Sequence, residues 1–353
     1  MAMDFIKIIK KSIESKASDI HLQTGEKPIV RISGKLSRME DEEAVDLKVD
    51  TPELKKIMTS DQMDYFVKNG NVDFAFSYDA NHRLRGNLYR QAKGLSLSLR
   101  IISNKILTFE ELGLPPIFKD MSENYHQGFF LIVGPTGHGK STSLASVLSY
   151  INKNREKHII TIEDPIEYII KNEKSIIEQR EVGIHTSSFQ NALRAAMRQD
   201  PDIIIIGEMR DQETMQAALT LAETGHLVFS TMHTNNSVQS IDRIIDAFPE
   251  ERQKQIRIQL AATLTGVMSQ RLIPGVDGGL VYAYEQLVVN DAIRNIIRSE
   301  KTEHIYNALQ GDDGDSMRLE QCLAKLLKAK KITEADARNF AGNHELLDMY
   351  IEY

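Results

Sequence analysis

The chain has 353 residues, 41% hydrophobic and 26% charged, which is enough for about two domains that each bury a core of their own. Its 43 basic and 50 acidic residues leave a formal charge of −7, which excludes a uniformly basic nucleic-acid-binding surface. The single cysteine, Cys322, excludes an internal disulfide and is too little for a thiolate zinc site; it reads as a small buried hydrophobe in a reducing compartment.

Met1 to Lys11 carries scattered charges and no apolar stretch followed by a small-residue cleavage site, so no signal peptide is expected. No apolar run approaches the roughly 18 residues that span a bilayer. The expected location is therefore cytoplasmic, with any membrane attachment made through a partner. From Phe5 to Ile102 a short amphipathic helix mixes with alternating, strand-like segments at Ile29 to Ile32, Val72 to Tyr78 and Leu95 to Ile101. This predicts a small α+β domain over residues 1–102. The pattern lapses across 103–116, where Leu112 to Pro116 punctuates the chain as a linker does.

After the linker, strands and helices alternate, the pattern of a parallel sheet covered by helices on both faces. Phe129 to Val133 is a compact apolar strand, and Leu144, Val147, Leu148 and Ile151 mark one face of the helix after it. Further buried strands are expected at His158 to Ile162, Asp202 to Ile206 and Leu227 to Thr231. This core is assigned to residues 117–275 and a mainly helical region to 276–353. The acidic stretch Glu345 to Tyr353 either docks on a neighbour or stays disordered.

Between the first core strand and its helix lie Gly134, Pro135, Thr136, Gly137, His138, Gly139, Lys140, Ser141 and Thr142, which match the phosphate-binding pattern G-x-x-x-x-G-K-[ST]. Glycines let successive backbone N–H groups converge on phosphate oxygens, and the helix N-terminus adds partial positive charge. Lys140 is placed to reach the β- and γ-phosphates, and the Ser141 hydroxyl to ligate Mg²⁺. ATP and Mg²⁺ are thus the expected cofactors. His138 is unusual in this pattern, and either faces solvent or titrates as a modulator.

Ligands of open α/β sheets bind beyond the carboxyl ends of the strands. One strand ends in Glu163-Asp164-Pro-Ile-Glu167, the next in Gly207-Glu208, and the third runs into His233, while His226 precedes it. Glu208 suits a magnesium-shell position, with Ser141 as its companion, partly through water. Glu163, Asp164 and Glu167 are candidates for activating water, with the choice of base left open. His226 and His233 together read as a γ-phosphate sensor. Seven residues apart, they make a poor metal pair.

In these residues the chain resembles the secretion ATPases of the type II and type IV pilus group, and within it the retraction motors. The marks are the phosphate loop, Ile162 to Glu167, Ile206-Gly-Glu-Met-Arg-Asp211 and Thr224 to Thr234. The resemblance implies a hexameric ring of identical subunits, each with a PAS-like N-terminal domain and a RecA-like motor domain. It also implies that Arg85 and Arg100 reach the γ-phosphate. The implied work is retraction of a type IV pilus, hence twitching motility, through an inner-membrane platform protein that acts on pilins indirectly, without direct nucleic-acid contact, from the inner face of the membrane. The lack of a four-cysteine insert and the segment Ala292-Ile-Arg-Asn-Ile-Ile297 favour retraction over assembly, although Ile293, Ile296 and Ile297 also suit core packing. A regulatory ring with weak turnover, or a related assembly or secretion ATPase, is the alternative. His138 stands where the family usually has serine.

Overall fold

Alternating apolar and polar residues build the first of two sheets. The computed structural model describes residues 5–32, 34–79, 82–103, 105–309 and 316–352, so Met1 to Asp4, Asn104 in the expected linker and Tyr353 at the end of the acidic stretch lie outside it. The chain divides into two units, Met1–Lys105 with Pro165–Ile169, and Ile106–Asp164 with Ile170–Tyr353.

In the first unit, α1 (Phe5–Glu14) buries Phe5, Ile8 and Ile9, one face of a helix. It is followed by β1 (Asp19–Gln23), β2 (Ile29–Ile32), β3 (Lys35–Arg38), α2 (Pro52–Ile57), α3 (Ser60–Asn69), β4 (Asn71–Ser77), β5 (His82–Gln91) and β6 (Gly94–Ser103). The strands form one antiparallel sheet in the order β3-β2-β1-β6-β5-β4. Ile20, Leu84, Leu97 and Leu99 are buried in its core. On the opposite face one register row holds Arg31, Asp19, Arg100 and Arg85 side by side.

Gly86 lies directly across from Phe74, whose ring covers it: a Cβ at Gly86 would come within 2.5 Å of the ring carbon Cζ. Gly86→Ala is therefore expected to destabilise the unit by about 1–3 kcal/mol, because overpacking forces the ring or the strand to move. The urea unfolding midpoint checks this, and an unchanged midpoint would mean that Phe74 swings aside without cost.

The second unit begins with α4 (Phe109–Leu112) and α5 (Ile117–Asn124). Thr108 and Glu111 form a reciprocal capping box around α4, and Phe109 stacks 4.8 Å from Tyr150, so this part of the expected linker is folded against the core. Then come β7 (Gly128–Val133), α6 (Lys140–Asn154), β8 (His158–Glu163), β9 (Ile176–Glu181), α7 (Phe189–Ala196), β10 (Ile203–Ile206), α8 (Gln212–Glu223), β11 (Leu227–Met232), α9 (Ser237–Asp246), α10 (Glu250–Thr263), β12 (Leu264–Pro274) and β13 (Leu280–Val288). The sheet order is β13-β12-β7-β11-β10-β8-β9, parallel except for the β12–β13 pair.

Burial explains the isoleucine run of β10. Ile204 and Ile206 enter one core layer, Ile203 and Ile205 the other, so both faces of the strand are covered by helices. The boundary expected at residue 275 needs correction. It falls in a hairpin whose arms pair over nine positions from Gly266↔Val288 to Pro274↔Leu280, so β13 belongs to the sheet and the helical region starts after it.

That region holds α11 (Asp291–Arg298), α12 (Ile305–Ala308), α13 (Leu319–Lys328), α14 (Glu334–Phe340) and α15 (His344–Glu352). Asn290 caps α11 by accepting from the Ile293 amide; Ile293 and Ile297 are buried, and Arg294 donates to the Ala261 and Ala262 carbonyls at the end of α10. Cys322 is buried among the last helices, and burial pushes its thiol up to about 11. Among the described residues no helix is long and apolar enough to cross a membrane.

Candidate functional site

The fold converges at the carboxyl edge of the parallel sheet. Strand β7 ends at Val133, and the chain turns through Gly134, Gly137 and Gly139 at φ 146°, 80° and 79° before α6 begins. These are left-handed values that a side chain resists, so the loop geometry requires glycine. Gly134 is also fixed by closeness: a Cβ there would lie 2.5 Å from the Gln270 carbonyl of β12. Thr136, Gly137 and Ser141 are exposed, whereas Lys140 is only 7% exposed.

Lys140 folds back over the loop. Its ammonium donates to the Gly134 and Pro135 carbonyls at 2.8 and 3.0 Å and to His233 Nδ1 at 3.1 Å. Thr136 Oγ1 lies 3.2 Å from the same ring nitrogen. An ammonium only donates, so Nδ1 accepts and Nε2 carries the hydrogen. Nε2 lies 3.2 Å from Glu208 Oε1, and Glu208 Oε2 accepts from Arg210 at 2.9 Å. A continuous chain of contacts thus runs from the phosphate loop through His233 to Glu208 and Arg210.

Burial works to raise the Glu208 carboxyl, but the Arg210 hydrogen bond and the charges of Arg210, His233 and Lys140 outweigh it and hold the group below its ordinary value. Glu208 is ionised at neutral pH. Glu163 ends β8 beside it: Gly207 approaches the Glu163 backbone so closely that a Cβ would sit 3.3 Å from Glu163 Cα. Glu163 Oε1 accepts from Thr161 at 2.6 Å and from Gln179 at 3.2 Å. Asp164 is exposed and adds to the negative field around Arg210.

The remaining candidates fall elsewhere. His226 precedes β11, while His233 follows it, so the two stand at opposite ends of a six-residue strand. His226 Nδ1 instead faces the Leu221 carbonyl at 2.9 Å and the Thr224 hydroxyl at 3.2 Å, which ties down the turn after α8. The expectation that both histidines sense one phosphate is corrected on that ground. His138 does not simply face solvent, because its ring accepts a hydrogen bond from β12 and meets Phe340 edge-on.

Glu167, Arg85 and Arg100 belong to the first unit. Arg85 is exposed there; Arg100 donates to Asp19 at 2.9 Å, and Asp19 also takes a hydrogen bond from Ser18. Burial tends to raise the Asp19 carboxyl, but these two bonds and the Arg100 charge hold it below its ordinary value.

Arg210, Thr161, Gln179 and Gln270 are site residues that sequence reasoning passed over. Arg210 was visible as the only cation beside Glu208 in the Gly207-to-Asp211 segment. Gln270 was visible as a polar residue inside an apolar strand.

The loop and its lysine fit a chain of phosphates: left-handed glycines open the backbone and a primary ammonium waits on carbonyls that it can exchange for anionic oxygens. The Ser141 hydroxyl at the helix start and the ionised Glu208 fit the oxygen ligation that Mg²⁺ prefers.

Comparison with known proteins agrees with this geometry. Residues 2–278 match the family described as type II/IV secretion system protein. The chain is 41% identical over 340 residues to the type IV pilus retraction ATPase PilT of Pseudomonas aeruginosa, covering 96% of this chain and 98% of that one. It is 41% identical over 320 residues to a twitching motility protein of Neisseria gonorrhoeae, covering 90% and 85%. The crystal structure of the pilus retraction motor PilT with bound ADP superposes with a TM-score of 0.91 at 44% identity, over 98% of this chain and 99% of that one.

Proposed function

We infer, from the premise that the chain belongs to the type II/IV secretion system protein family, that it is an ATP-hydrolysing motor that retracts a type IV pilus. The observation that carries this reading is the contact chain from Lys140 through His233 to Glu208 at the carboxyl edge of the sheet. Magnesium-bound ATP supplies the phosphoanhydride bond to be cleaved.

Lys140 exchanges the Gly134 and Pro135 carbonyls for β- and γ-phosphate oxygens. Backbone amides from Gly137 to Thr142 line the phosphates, and Ser141 with Glu208 would hold Mg²⁺, Glu208 partly through water, and the ion would neutralise phosphate charge. Glu163 and Asp164 lie at the same edge and orient the attacking water. When Lys140 leaves His233 Nδ1, the ring is free to turn, and the state of the loop is passed to Glu208. His233 is in this sense the sensor.

Arg85 and Arg100 stand directly opposite each other on adjacent strands, an arrangement that costs stability unless an anion relieves it. Asp19 relieves Arg100. Arg85 is assigned to a γ-phosphate, with Arg100 beside it, and Glu167 is kept as a further candidate acid. Arg85→Ala is expected to lower kcat by on the order of a hundredfold or more while moving KM for ATP by less than about threefold, as a transition-state contact does. Equal losses in both would make it a ground-state contact.

The working form is assigned as a ring of six copies at the inner face of the membrane, engaging a platform protein and moving pilins through it. Turnover should rise with protein concentration as native mass reaches six subunits. Deleting the gene should leave cells hyperpiliated and unable to twitch; bald cells would overturn retraction.

A further inference from the structure

The phosphate loop is fastened along β12 at successive points. Gly134 abuts the Gln270 carbonyl; the Gln270 side-chain amide donates to the His138 carbonyl at 2.6 Å; and the Leu272 amide donates to His138 Nδ1 at 2.9 Å. Gln270 is itself oriented by Tyr282, whose hydroxyl lies 3.2 Å from Oε1, leaving the amide nitrogen for the loop. Gly139 completes the fit, because a Cβ there would meet the Leu272 side chain at 3.3 Å.

We propose that His138 is a positioning residue that clasps the phosphate loop to β12 through the Leu272 amide, and that a proton on its ring opens the clasp. A backbone N–H only donates, so Nδ1 must offer a lone pair, and the ring is the neutral tautomer with hydrogen on Nε2. A protonated ring has N–H on both nitrogens and cannot accept from Leu272.

The surroundings favour the neutral form. Burial first, then the charges of Arg271 on β12 and Lys140 at the start of α6, push the ring below its ordinary value of 6.5, while α14 offers it the uncharged ring of Phe340. A histidine whose folded value is depressed gives its contribution above the unfolded value and loses it as pH falls through the folded one. The clasp is therefore closed at neutral pH and opens in acid. The inference rests on the reading that this loop binds nucleotide.

Three full-length variants test it: His138→Leu, His138→Asn, whose side-chain oxygen takes the place of Nδ1, and His138→Gln, which reaches only the place of Nε2. At pH about 8, hydrogen exchange at Leu272 should be faster in the Leu and Gln variants and restored in the Asn variant. The Kd for Mg-ADP should rise on the order of tenfold in the first two and recover in the third, the effect of one lost hydrogen bond to a partly buried amide.

As pH falls below the ordinary histidine value of 6.5 the wild-type Kd should climb towards the Leu value, while the Asn variant stays flat. Wild-type exchange in the Leu variant, failure of Asn to restore, or equal acid slopes in wild type and Asn variant would each overturn the clasp. Exchange needs no nucleotide. Loss of ADP binding in every chain with His138-dependent exchange intact therefore counts against the phosphate-site reading and supports the clasp.

Discussion

Replacing Lys140 with alanine is expected to lower ATP turnover on the order of a thousandfold or more, while the chain still folds. Lys140 is 7% exposed, which by itself would point to a structural role. Its contacts argue otherwise: the ammonium meets two carbonyls of its own loop and a histidine at the sheet edge. Alanine removes a charge from a confined place and frees carbonyls on a loop whose next residues, Thr136 and Gly137, are open to solvent, so the stability terms largely offset. Turnover has no such offset, because no other cation is placed on the loop to meet the γ-phosphate. Circular dichroism melting beside steady-state hydrolysis checks both halves. A variant that unfolds, or one that still turns over, would sink the separation of roles.

Glu208→Gln should cost turnover on the order of a hundredfold or more, with nucleotide affinity moved far less. The glutamine keeps the shape and can still accept from Arg210, so the fold is little disturbed. What it loses is the negative charge that Arg210, His233 and Lys140 keep ionised at neutral pH against the effect of burial. A neutral amide neither attracts the magnesium shell nor takes up a proton. If Mg-ADP binding weakened as much as kcat fell, Glu208 would be a binding group only, and Glu163, with its oxygen oriented by Thr161 and Gln179, would carry the proton.

Much of this is legible in the sequence, for identifiable reasons. The strand–glycine–helix order fixes where the loop must lie, since a parallel strand followed by a helix brings its turn to the carboxyl edge. Glu163, Glu208 and His233 follow from the same rule because each ends its strand. His226 was misread by ignoring it: a residue before a parallel strand stands at the far edge, however close the two histidines are in sequence.

The hairpin was missed because Val281-Tyr-Ala-Tyr-Glu-Gln-Leu-Val288 alternates weakly and lies next to charged helices. The short helix at Phe109 had its signal in Thr108-Phe-Glu-Glu111, a capping box in plain view. The placing of Asp19 against Arg100 had none. It depends on the register between strands some 80 residues apart, which local pattern does not encode.

The place of β12 in the sheet also governs how the chain is made. Strand β7 is flanked by β11 and β12, and the Thr265 hydroxyl donates to the Phe129 carbonyl 136 positions earlier in the sequence. During synthesis β7 therefore emerges long before either of its two neighbours exists, and six residues that end up buried wait with both edges open, the β12 edge the longer. A ribosome that stalls before Leu264 leaves a chain with a complete glycine loop, β11 on one side of β7 and no β12 on the other. Such a fragment exposes an unpaired apolar strand edge and is an aggregation hazard rather than a partial enzyme.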